Sequence, residues 1–158
     1  MLRRFYIFCL LAALSSATPA LGQEWGVGLS LEVSPLGGLP GSDAMLSVKT
    51  PELPITFGVG ARLTREEFQF GMTADWILIR ENLFSFVNVY VGPGLYLSLP
   101  DRLDLGGRVP IGLNAFPAEW LELFLEIAPR LAFISDGGID IPDVGLQSGF
   151  GFRFWFET

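Results

Sequence analysis

The stretch GFGFRFWFET, residues 149–158, decides how the rest of the chain is read. Phe150, Phe152, Phe154 and Phe156 fall on one side of a two-residue repeat, and Gly149, Gly151, Arg153 and Trp155 fall on the other. A β-strand sends successive side chains to opposite faces, so this stretch has one apolar face and one small or polar face. Chain ends fray unless something ties them down. An aromatic face at such an end calls for strand partners and an apolar surrounding.

The same alternation recurs upstream. In 26–33, Val27, Leu29, Leu31 and Val33 oppose Gly26, Gly28, Ser30 and Glu32. Comparable patterns cover 44–50, 55–63, 68–76, 87–97, 103–114, 121–133 and 144–156, which makes eight segments of period two and none of period 3.6. The connections 34–43, 51–54, 64–67, 80–82, 98–102, 117–119 and 135–142 are short and rich in Pro, Gly, Asp or Glu, so they read as turns. Eight strands joined by hairpins form an antiparallel up-and-down meander, and closing it into a barrel removes its edges.

The facing is set by composition. The chain has one lysine, Lys49, and 17% charged residues. The small face is mostly glycine with about one charge per strand; it makes a poor wet surface but fills a narrow interior. The other face is continuous Val, Leu, Ile and Phe. Apolar out and polar in, over lengths near 9–11 residues, is the transmembrane β-barrel pattern. In lipid only a closed sheet satisfies every backbone group. With both termini on the periplasmic side, Trp25, Trp76, Trp120 and Trp155 are expected to converge on that rim as an aromatic girdle. Pro93, Pro110 and Pro129 fall inside strands and each removes a ladder hydrogen bond, so bulges or bends are expected at those heights.

At the start, Arg3 and Arg4 precede an apolar run from Phe5 to Leu14, followed by small residues and Ala20-Leu21-Gly22. This is the layout of a signal peptide over 1–22, cleaved after Gly22, leaving a barrel domain over 23–158. Cys9, the one cysteine, lies within the leader. Losing two arginines takes the net charge from −7 to −9, and such an acidic chain without a basic patch does not suit a nucleic-acid partner.

VYVGPGLYLSL, LGGRVPIGLNAF and LELFLEIAPRLAF, within residues 89–133, resemble a family of small, functionally uncharacterised bacterial outer-membrane β-barrels of spirochaete type. The likeness rests on Gly92 and Gly94, on Arg108-Val109-Pro110-Ile111-Gly112-Leu113, and on Phe124-Leu125-Glu126-Ile127-Ala128-Pro129. It implies that the mid-strand prolines are family features. The architecture is similar to the OmpA membrane domain and OmpX. The aromatic ending also resembles the C-terminal signal recognised by barrel-assembly machinery, with Gly151, Phe154 and Phe156 in the matching places. Here Glu157 and Thr158 come after the last Phe, where many barrels stop.

The chain has no histidine, so histidine-assisted catalysis and histidine-built metal sites are excluded. Glu122 and Glu126 lie four residues apart on one strand, about 13 Å at the usual rise, too far to act as an acid/base pair. Asp136, Asp140 and Asp143 lack the spacing of a calcium loop. Inward positions carry Glu32, Asp75, Glu122 and Glu126 against Lys49, Arg62, Arg108, Arg130 and Arg153. An unpaired charge in a confined interior is costly, so these are expected to interlock as a polar plug, with glycines leaving room for Tyr90 and Tyr96. The sequence therefore points to a monomeric, non-enzymatic integral outer-membrane barrel of a diderm bacterium, without cofactor or metal. Its partners would be outer-membrane lipid and, during biogenesis, the assembly machinery. A narrow solute conduit, and less readily a secreted soluble barrel binding an apolar ligand, are the alternatives.

Overall fold

The computed structural model describes residues 24–36, 44–63, 68–99, 103–134 and 144–157. The leader, its cleavage site, the Asp136–Asp143 loop and parts of the connections 34–43, 64–67, 98–102 and 135–142 lie outside the described residues, as does the side chain of Arg62. The strands are β1 (Glu24–Leu36), β2 (Ala44–Lys49), β3 (Ile55–Leu63), β4 (Phe68–Trp76), β5 (Ile79–Phe84), β6 (Val87–Val91), β7 (Gly94–Leu99), β8 (Asp104–Arg108), β9 (Ile111–Ala118), β10 (Leu121–Ile134) and β11 (Val144–Glu157).

β4 and β5, β6 and β7, and β8 and β9 are successive halves of three long strands, so the wall has eight staves. Each stave pairs antiparallel with its chain neighbours. β11 pairs with β10 on one side and with β1 on the other, with Trp25 opposite Phe156 and Leu31 opposite Phe150. That last pairing closes the sheet into a barrel, as the alternation predicts.

The staves are staggered. A lateral walk from Gly26 runs through Lys49, Thr56, Asp75, Gly94, Arg108, Arg130 and Gly145. It arrives beside the Leu146–Leu36 pair, far up the stave it left. Such a shear tilts the strands and sets the interior width.

The prolines form a connected seam. Trp76 N–H donates to Pro93 O (2.8 Å), Gly92 N–H to Pro110 O (3.3 Å) and Val109 N–H to Pro129 O (2.9 Å). Each proline thus keeps the half of a ladder pair that needs its carbonyl and loses the half that needs an N–H. The pairs step diagonally, because Gly92 precedes Pro93 and Val109 precedes Pro110. The ladder breaks at Gly92-Pro93 and Val109-Pro110, whereas β10 runs unbroken through Pro129. The Trp76 carbonyl, which Pro93 cannot serve, lies 1.7 Å from where a Cβ on residue 92 would sit. Only glycine fits there.

One turn is misplaced by the sequence reading. Arg80-Glu81-Asn82 is not a turn but part of β5, and the chain reverses at Ser85-Phe86, with Ser85 at φ 47°. The segment Phe84-Ser85-Phe86-Val87 carries a single turn former, Ser85, set among apolar residues, while the polar REN mimics a turn. Similarly, the turn expected at 117–119 falls at Glu119-Trp120.

Gly92→Ala should destabilise the barrel by about 1–3 kcal/mol, because backbone must move to admit the methyl group. Gly26→Ala, whose new Cβ meets only Trp155 ring atoms at 3.4 Å, should stay within about 0.5 kcal/mol of wild type. Urea unfolding midpoints of the two variants, followed by tryptophan fluorescence, make the comparison.

Candidate functional site

The barrel is polar inside and apolar outside. Among the described residues the buried hydrophobic side chains are Met45, Tyr90, Tyr96, Phe124, Ala128 and Ala132, outnumbered by thirteen buried polar or charged residues. Large interior side chains lie over cross-strand glycines: Tyr90 over Gly112, Tyr96 over Gly106 and Phe124 over Gly151. A Cβ at Gly112 would come within 2.2 Å of the Tyr90 ring, so glycine on one stave gives the ring of the next its space.

The interior charges sort into three clusters, and β10 serves as their ruler. Glu122, Glu126 and Arg130 point inward from it at four-residue steps, about 13 Å each along the strand. Each belongs to a different cluster.

At the end where β1 begins and β11 finishes, Arg153 Nη1 pairs with Glu122 Oε2 at 3.0 Å, and its Nε donates to Ser47 Oγ at 2.8 Å. The guanidinium lies 4.0 Å from the centre of the Phe124 ring. Glu122 also accepts from Asn114 Nδ2 (2.5 Å) and Trp155 Nε1 (3.1 Å). A wholly buried carboxylate is thus held by a cation and two neutral donors, which offset its desolvation.

In the middle, Arg108 is a hub. Its Nε faces Asp75 Oδ1 at 3.1 Å, its Nη2 pairs with Glu126, and its Nη1 donates to Gln147 Oε1 at 2.7 Å. Gln147 Nε2 passes the chain to Glu32 Oε2 at 2.9 Å, and Ser30 Oγ donates to Glu32 Oε1 at 3.0 Å. Tyr90 OH donates to Glu126 Oε2 at 2.8 Å. One guanidinium on β8 therefore ties together β1, β4, β10 and β11.

At the far end Arg130 Nη1 pairs with Asp104 Oδ2 at 3.0 Å and donates to Tyr96 OH at 2.9 Å; Tyr96 OH donates to Asp104 Oδ1 at 3.0 Å. A cavity of about 30 Å³ lies between the first two clusters, lined by Ser47, Thr73, Asp75, Arg80, Arg108 and Arg153 among others. It has room for about one or two waters.

Of the nine charged residues expected inside, seven enter these clusters. Lys49 points inward but has no carboxylate partner among the described residues, its Nζ lying 5.4 Å from the Trp155 ring centre. Arg62 lies outside the described side chains. Glu122 and Glu126 sit in separate clusters. The expected set omitted Asp104 and Arg80. Asp104 shares the face of Gly106 and Arg108, so strand parity alone identifies it. Arg80 was hidden by its placement in a turn and by an irregularity: Asp75 faces inward, Leu78 and Ile79 both face outward, and Arg80, opposite Tyr90, lines the cavity.

Trp25, Trp120 and Trp155 come together on three staves at one end, where the Trp155 backbone N–H donates to the Trp120 carbonyl at 2.9 Å. Trp155 faces inward. Trp76 is set back from that end, because its stave continues through β5. Phe84, Phe86 and Phe116 occupy the end instead, with Phe116 6.2 Å from the Trp155 ring and Trp120 stacked on Phe154 at 5.9 Å. Gly151, Phe154 and Phe156 lie on β11, Gly151 beneath Phe124 and both phenylalanines exposed on the outer wall.

Comparison of the chain with protein-family models, curated proteins and solved structures returned no match.

Arg153→Met, which leaves Glu122 buried without its cation, should cost about 3–5 kcal/mol. Adding Glu122→Met should recover part of that loss. A double-mutant cycle read from urea unfolding tests the coupling.

Proposed function

We propose that the protein is an integral outer-membrane β-barrel with a plugged polar interior and a structural or surface-interaction role. The observation that carries this is the outer wall. Leu29, Leu46, Met72, Leu95, Ile111, Leu125, Ile127 and Phe150 are all exposed, and with the half-buried Phe57 and Val59 of β3 they put an apolar residue on the outer face of every stave. A patch beyond a few hundred Å² is unusual on a soluble monomer, and a complete apolar belt suits hydrocarbon. The clustered Trp25, Phe86 and Trp120 at one end suit an interfacial girdle.

The paired interior supports a plug over a conduit, since eight staves enclose little more than their own side chains. A soluble barrel for an apolar ligand requires the opposite facing. The resemblance of residues 89–133 to small outer-membrane barrels, and of the aromatic ending to an assembly signal, supports the same reading.

The protein should sediment with outer membranes and migrate differently on gels before and after boiling. Recovery of folded, unboiled protein from the soluble periplasm would sink the proposal. Ile127→Arg, near mid-height on β10, should destabilise the membrane-inserted barrel by about 2–4 kcal/mol. A soluble barrel would tolerate that exposed arginine. Planar-bilayer recordings of the reconstituted protein should show no single-channel steps; steps altered by Arg108→Gln would establish a conduit instead.

A further inference from the structure

Interior charge is divided unevenly among the clusters. Among the described residues Arg130 meets Asp104, and Arg153 meets Glu122. Arg108 faces two carboxylates directly and a third, Glu32, through Gln147. The surplus of positive charge lies at the end where β1 begins. There, among the described residues, neither Lys49 nor Arg80 makes an ion pair or hydrogen bond. Lys49 is opposed by the charges of Arg80 and Arg153 and favoured only by Glu122. Glu52, Glu81 and Glu119 are exposed and pair with neither cation, and the acids that share a cavity with Arg80 are already engaged: Asp75 and Glu126 by Arg108, Glu122 by Arg153 and Glu32 by Gln147. Both cations are half-buried, so they are partly stripped of water yet reachable from that end.

We propose that this end of the barrel interior binds a small oxyanion of the phosphate or carboxylate class, with Lys49 and Arg80 as its two cationic ligands. Like charges confined together in a low-dielectric mouth favour an anion between them. Arginine supplies a planar fork that grips two oxygens, and lysine supplies a compact charge. The proposal rests on the barrel interior alone, whatever surrounds the outer wall.

Trp155 provides the readout, because its ring underlies Lys49 and its N–H donates to Glu122. The full chain is expressed, purified as the cell processes it, labelled with ¹⁵N and held in dodecyl maltoside, which carries no phosphate. Trp155→Phe assigns the indole resonance. Inorganic phosphate, added at constant ionic strength, should shift that resonance saturably. Lys49→Gln and Arg80→Gln should each weaken binding about fivefold or more. Lys49→Arg and Arg80→Lys should largely retain it.

A shift that never saturates, or one identical in the Lys49→Gln/Arg80→Gln double variant, overturns the proposal. The boiling-dependent gel shift verifies that each variant is folded. In nanodiscs containing phosphatidylglycerol, a resonance already at its saturated position and deaf to phosphate identifies a lipid headgroup as the anion. A preserved phosphate response identifies a free one.

Discussion

Everything in this molecule depends on the hydrogen-bonded seam between its first and last strands. Eleven registered pairs join β1 to β11, and without them the sheet would present two open edges. Closure satisfies those edges and, through the stagger of the staves, fixes the bore. A bore that narrow admits side chains and little else, so the contents of the interior become a packing problem as well as an electrostatic one.

The interior solves both problems with the same residues. Glycine opposite Tyr90, Tyr96 and Phe124 gives each ring its volume. Arginine reaches across the space so opened to carboxylates on other staves. Arg108 joins five strands drawn from both ends of the barrel domain, so its network also opposes slippage of one stave against another. A one-residue slip would carry every inward charge of that stave to the outer wall. In the proposed membrane setting that exchange would be prohibitive, and the polar network would specify register as well as fill space.

The proline seam shows a tolerated defect. Three ladder bonds are lost where Pro93, Pro110 and Pro129 stand, yet their carbonyls still accept from Trp76, Gly92 and Val109. The irregularity extends to the neighbouring stave, which carries no proline itself and breaks at Ile77-Leu78. That break inverts the facing of β5 relative to β4 and brings Arg80 inside. A sequence-local defect on one strand thus changes which residue a different strand contributes to the interior.

Alternation alone determined the class, the eight staves, the polar interior and most of its charges, because period two is a local property of the backbone. Asp104 is equally legible, since it shares the parity of Gly106 and Arg108. Arg80 was not legible, since its orientation depends on an irregularity imposed by Pro93 of the adjacent stave. Nor was the setting back of Trp76, which results from a turn at Ser85-Phe86 whose single turn former stands among apolar residues. Which arginine meets which carboxylate was decided by tertiary structure only. Pairing across a bore depends on stagger, and stagger is set by closure of the whole sheet, a quantity that no single strand contains.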